Sequence, residues 1–82
     1  MYSKQITVLG GSGFLGSELS DLLAKKNYKV VIFDIKKKSH LKANQKFIKG
    51  SVLNIQKLSK AIKGSKIVLN FAALADIDIA RD

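Results

Sequence analysis

Four short apolar blocks punctuate the chain, and the segments between them predict its fold. Ile6-Thr7-Val8-Leu9 is a β-rich run that stops at Gly10-Gly11-Ser12-Gly13, which reads as a strand entering a glycine turn. Leu15, Leu19, Leu22 and Leu23 then recur at spacings of four, three and one, with Glu18 and Asp21 early and Lys25 and Lys26 late. Those charges complement a helix dipole at each end, so the segment predicts an amphipathic helix of about 13 residues ending near Asn27. Val30-Val31-Ile32-Phe33 follows without polar alternation, as a strand covered on both faces does. From Lys36 to Gln45 the pattern gives way to a polar loop, too short and irregular for a second helix. Phe47-Ile48 marks a third strand closed by Gly50. Asn54 caps a helix carrying Ile55, Leu58, Ala61 and Ile62, and Gly64 stops it after Lys63. Ile67 to Phe71 is a fourth strand opening into Ala72, Ala73 and Leu74, and residues 76–82 read as the approach to another helix.

An unalternating second strand predicts a parallel sheet, and parallel neighbours are joined by right-handed crossovers. Three strands winding one way from the first, followed by a long return, place the fourth on the first strand's other side. The expected fold is therefore α/β, a doubly wound parallel sheet of strand order 3-2-1-4. Where the winding reverses, a crevice opens at the carboxyl ends of the first and fourth strands, and ligands bind in such crevices. Gly10 to Gly16 and Phe71 to Leu74 end there.

Composition narrows the chemistry. Eighty-two residues, 46 % hydrophobic and 26 % charged, make one domain at most and exclude a disordered or low-complexity chain. A chain this short buries only about 60 % of its unfolded surface. With no cysteine and one histidine, His40, there is no disulfide framework, thiolate metal site or His-rich cluster. No apolar run spans a bilayer and no signal-peptide order begins the chain, so the expected compartment is the cytoplasm and no membrane partner is expected. The net charge of +9 and pI near 10.0 invite a nucleic-acid reading. However, the 14 lysines are spread along the chain as a solvated surface would be, with Arg81 the one arginine. No aromatic stacking platform stands out among four Phe and two Tyr.

The glycines at 10, 11, 13 and 16 satisfy both G-x-G-x-x-G and G-x-x-G-x-x-G between a strand and a helix. An early glycine lets the chain turn, Gly13 leaves room for a pyrophosphate, and Gly16 lets the helix lie close to the sheet. The amides of Phe14 and Leu15, at the positive end of that helix, would face the phosphates. Asp34 closes the second strand 18 residues past Gly16, where a carboxylate meets an adenosine ribose and repels a 2′-phosphate. NAD is thus expected over NADP. Lys36, Lys37 and Lys38 are a counter-signal, since they could hold that phosphate, although a lysine run in a loop is usually solvated. His40 reads as a solvated loop residue, and Asp76 and Asp78 as helix caps.

With Val8-Leu9-Gly10-Gly11-Ser12-Gly13-Phe14-Leu15-Gly16, Asp34 and Phe71-Ala72-Ala73-Leu74 in place, the chain resembles the extended short-chain dehydrogenase/reductases. More narrowly, it resembles the N-terminal portion of NAD-dependent nucleotide-sugar epimerases and dehydratases, whose fold is a Rossmann-type doubly wound sheet. The resemblance implies that Gly10 to Gly16, Ser12 included, form the phosphate loop, with the backbone of Gly13, Phe14 and Leu15 on the pyrophosphate. It implies Asp34 and Ile35 at the adenosine ribose, Ser39 toward the adenosine phosphate side, and Ser51 and Val52 against adenine. Phe71, Ala72, Ala73 and Leu74 would line the nicotinamide half. The family commonly has Thr at Leu9, an acid at Ser51 and His at Asn70; losing the acid at 51 weakens the expected contact with the adenine amino group. The family's catalytic Tyr-x-x-x-Lys would fall beyond residue 82, so the segment alone is expected to bind cofactor without turnover. The implied substrate is a nucleotide sugar bound through later residues, and the implied assembly a homodimer. Two rival expectations stand beside this one: a non-catalytic NAD(P)-binding sensor or assembly subunit, and, more remotely, a small basic nucleic-acid-binding domain.

Overall fold

The computed structural model describes residues 4–72. Its elements are β1 (Gln5–Leu9), α1 (Phe14–Lys25), β2 (Lys29–Asp34), β3 (Gln45–Lys49), α2 (Ile55–Ile62) and β4 (Ile67–Asn70). The four strands form one sheet of order β3-β2-β1-β4, every pair parallel, with Ile6 opposite both Val30 and Ile67. This is the Rossmann-like, doubly wound arrangement that the apolar blocks predict.

The missing alternation in the central strands has its reason in two cores. Ile6, Val8, Val30 and Ile32 pack with Ala24 of α1 on one face; Leu9, Val31 and Phe33 pack with Ala61 of α2 on the other. Successive strand residues point to opposite faces, so a sheet covered on both sides needs apolar residues at every position. Thr7 is the polar exception in β1, fully buried, and its hydroxyl is satisfied by the Ala61 carbonyl at 2.8 Å and by Ser65. β4 is less covered, with Ile67 48 % exposed, because it ends the sheet among the described residues.

Helix α1 departs from the face its leucines predict. The residues buried against the sheet are Gly16, Ser20 and Ala24, one per turn, with Leu23 partly buried against the same core, whereas Leu22 is 49 % exposed and Leu15 is also largely exposed. The helix lies too near the strands for large side chains: a Cβ on Gly16 would collide with the Gly10 carbonyl oxygen, and one on Gly11 would meet Ile32 Cγ2 at 2.7 Å. Leu15, Leu19 and Leu22 instead form a shallow apolar groove with Phe71. The helix ends at Lys25, two residues short of expectation, and Asn27 takes the left-handed conformation at φ 71° that reverses the chain into β2. Helix α2 begins as expected, with Asn54 Oδ1 accepting from the Lys57 amide at 3.1 Å.

The connection from β2 to β3 contains no helix, as the sequence predicts, but it is not simply solvated. Lys38, read above as one of three loop cations, is 6 % exposed and lies 3.0 Å from the Asp21 carboxylate of α1. Gln45 donates to the same carboxylate at 2.9 Å, and Asn44 donates to the carbonyls of Ala24 and Tyr28, each at 2.8 Å. Side chains tie this short crossover to α1 where a second helix would otherwise cover it.

Candidate functional site

The crevice forms where β1 leaves the sheet. Gly10 has φ +77°, and a Cβ there would stand 2.7 Å from the Ala72 amide nitrogen, so the turn and its approach to the end of β4 both require glycine. Gly13 differs. A Cβ on it would meet only the Gly10 oxygen, at an ordinary 3.6 Å, so nothing within the described residues demands its missing side chain. The space before Gly13 belongs to a pocket of about 280 Å³.

Gly13 is also the N-cap of α1, and it has no side chain to accept from the first amides. The helix ladder begins with the Ser17 amide donating to the Gly13 carbonyl at 2.8 Å. The amides of Phe14, Leu15 and Gly16 therefore precede any intrahelical acceptor. The Gly13 amide is already bonded to the Gly10 carbonyl at 3.3 Å, which leaves Phe14 and Leu15 as the principal donors of the three implied by resemblance. No acidic residue lies in the first turn; Glu18 falls beyond it and Asp21 faces Lys38, so neither offsets the positive end of the helix. Ser12 adds a buried hydroxyl oxygen without a hydrogen-bond partner. The Phe14 side chain is 81 % exposed, so the main chain is what it offers the loop.

Asp34 joins this loop to the end of β2. Its Oδ2 accepts from the Ser12 amide at 3.0 Å and its Oδ1 from the Lys36 amide at 3.1 Å. Each carboxylate oxygen retains acceptor capacity beyond one bond, so tethering the loop does not exhaust the group. Asp34 and Ile35 border the pocket together with Ser51 and Val52 after β3, while Phe71 and Ala72 close it after β4. Ser39 is exposed in the crossover and does not border the pocket. Ala73 and Leu74 lie outside the described residues, as do Tyr2, Asp76 and Asp78.

Two pocket residues were not singled out from sequence. Phe33 and Gly50 border the cavity together, and a Cβ on Gly50 would meet the Phe33 ring at 2.8 Å. A glycine directly after a short strand was the available signal; it reads equally as a strand stop, and only the neighbouring ring explains it. Asp21, on α1, is held in its charged form by its surroundings. Burial pushes this carboxyl up, but hydrogen bonds from Gln45 and Lys38 and the charges of Lys38 and Lys42 outweigh it and hold the group below its ordinary value.

Residues 6–81 match the NAD dependent epimerase/dehydratase family. The chain belongs to that family. It is 39 % identical over 71 residues to a mouse protein named sterol-4-alpha-carboxylate 3-dehydrogenase, decarboxylating, covering 87 % of this chain and 19 % of that protein. Among solved structures it is similar to epimerase Mth375 of Methanothermobacter thermautotrophicus, at TM-score 0.77 and 30 % identity over 85 % of this chain and 23 % of that one. It is also similar to UDP-glucose 4-epimerase of Brucella ovis in complex with NAD, at TM-score 0.72 and 29 % identity over 84 % and 22 %. A Veillonella parvula short-chain dehydrogenase/reductase in complex with NADP matches at TM-score 0.74 and 25 % identity over 85 % and 35 %. The chain spans about a fifth of the length of the curated relatives it matches.

Proposed function

We propose that this segment binds the dinucleotide of an NAD-dependent oxidoreductase-type epimerase or dehydratase. The observation that carries the reading is the open space at Gly13, beside uncapped first-turn amides, in the same pocket as Asp34. Phe14 and Leu15 amides would hold the pyrophosphate in the positive field of α1, and the partnerless Ser12 hydroxyl lies in the same loop. Asp34 would accept from the ribose hydroxyls, with Ile35, Ser51 and Val52 on the adenosine side and Phe71 to Leu74 on the nicotinamide side. Bound there, the dinucleotide supplies a hydride acceptor and donor.

NAD is favoured over NADP on two grounds. The Asp34 carboxylate would oppose a 2′-phosphate, and Lys38, one of three adjacent cations, is committed to Asp21. Relatives with either dinucleotide are known among the similar structures, so the choice rests on this chain's own residues.

The substrate we propose is a nucleotide sugar, supported by the likeness to UDP-glucose 4-epimerase, in a cytoplasmic enzyme that pairs as a homodimer. Identity to the mouse sterol dehydrogenase favours a second reading, a sterol carboxylate oxidised at its 3-position. We assign proton transfer to residues outside this segment, because neither Tyr2 nor Tyr28 has a lysine four residues on.

Calorimetric titration of NAD and NADP into the full-length protein tests the reading. NAD should bind more tightly, and Gly13→Val should weaken both ligands without loss of fold. Absence of binding by either dinucleotide removes the proposal. Net formation of reduced dinucleotide with carbon dioxide from a sterol carboxylate would select the second substrate; interconversion of sugar nucleotides without net reduction would select the first.

A further inference from the structure

The pocket runs along the carboxyl ends of the strands from Gly10 and Gly13 at the start of α1, past Asp34, to Gly50, Ser51 and Val52 after β3. With a diphosphate at α1 and a ribose on Asp34, the base of the nucleotide extends to the β3 side. Two apolar residues, Ile35 and Val52, border that end, and the polar side chain there is Ser51. Its Oγ accepts from the Leu53 amide at 3.1 Å, while its own carbonyl accepts from the Asn54 amide at 2.9 Å. A serine hydroxyl has two lone pairs and one hydrogen, so Ser51 retains one acceptor site and one donor.

We infer that this base subsite accepts a 6-oxopurine as readily as adenine, an inference that rests on the dinucleotide reading above. Adenine presents an amino donor at position 6 and an acceptor at N1. Hypoxanthine presents an oxygen acceptor and an N1–H donor. The hydroxyl of Ser51 meets either pattern by rotating its proton. A carboxylate at this position would serve the amino group and repel the 6-oxygen. Asp34 is the pocket's acidic residue and is already engaged with Ser12 and Lys36 at the ribose position.

The test compares dissociation constants for NAD and nicotinamide hypoxanthine dinucleotide in the full-length protein and in Ser51→Asp and Ser51→Ala. In the native protein the two should agree within about threefold, because neither base leaves the hydroxyl unmatched. Ser51→Asp retains an acceptor for the Leu53 amide and should shift the ratio by about tenfold or more toward NAD. Ser51→Ala should leave the ratio near one. A native preference for NAD of tenfold or more overturns the inference, as does an unchanged ratio in folded Ser51→Asp. Should Ser51→Asp fail to fold, the native ratio alone decides. Failure of the folded native protein to bind either dinucleotide overturns both this inference and the dinucleotide reading.

Discussion

Lys38 Nζ lies 3.0 Å from the Asp21 carboxylate, although the two residues sit in a loop and a helix separated by an entire strand. The ammonium is almost wholly buried and the carboxylate is 40 % exposed, so the two partners are not equivalent. Removing the acid leaves a buried cation with only the His40 carbonyl as partner. Removing the cation leaves a half-solvated carboxylate still bonded to Gln45. Asp21→Ala should therefore destabilise the fold more than Lys38→Met, whose stem keeps its packing. Discounted for the solvent around Asp21, the first should cost about 1–2 kcal/mol and the second under about 1 kcal/mol. Urea denaturation of both variants measures the order, and a larger loss in Lys38→Met contradicts it.

The same carboxyl sets a pH dependence. Its folded pKa lies below the ordinary aspartate value, so its contribution is present above that value and declines as pH falls through the lower folded pKa. Over that acid range, Asp21→Asn should show a shallower fall in stability than the native chain and an equal slope near neutrality. Denaturation midpoints collected from pH 2 upward, about the range over which carboxylates titrate, would reveal it. Parallel curves would remove the assignment.

Local pattern made the strands, their order, the Asn54 cap and the helix-free crossover legible. Each of these rests on neighbours in sequence or on chirality rules that apply to any parallel sheet. The buried face of α1 was legible only at Gly16 and Leu23, because the leucine spacing outweighs Ser20 and Ala24 in any periodicity. Only the proximity of Gly10 and Ile32 shows that small residues must face the sheet. The burial of Lys38 was hidden for a related reason: its partner lies 17 positions away, in a helix whose rotation the leucines misstate. In the glycine loop, the motif already assigned the turn to an early glycine, ligand space to Gly13 and close helix packing to Gly16; the structure adds the atoms that each missing Cβ would meet.

Those separate demands predict opposite outcomes for two alanine substitutions. Gly16→Ala drives a methyl into the Gly10 carbonyl, which is backbone and cannot swing aside, and should cost about 1–3 kcal/mol or more. Gly13→Ala meets its nearest atom at 3.6 Å. A poorer N-cap and a less flexible unfolded chain roughly cancel there, leaving stability within about 0.5 kcal/mol. Yet the new methyl projects into the space assigned to the pyrophosphate, and NAD affinity should fall at least about tenfold. Thermal melting alongside titration separates the two effects; a Gly13→Ala protein that binds NAD normally would place the phosphates elsewhere.

Asp34 has two tasks, and a pair of substitutions can divide them. Its oxygens hold the Ser12 and Lys36 amides, so Asp34→Ala should loosen the loop and cost about 1–2 kcal/mol. Asp34→Asn keeps one acceptor oxygen for those amides while removing the charge that opposes a 2′-phosphate. If electrostatic repulsion sets the cofactor preference, Asp34→Asn should bind NADP about tenfold more tightly than the native protein, with a smaller loss of NAD affinity. Lys36 and Lys37, exposed beside the carboxylate, would then attract the phosphate, so the gain should shrink with added salt. Lys38 should contribute little to it while Asp21 holds it, and Lys38→Met in the Asp34→Asn background should leave NADP affinity nearly unchanged. A large loss in that double variant would show that Lys38 leaves its ion pair to reach the cofactor.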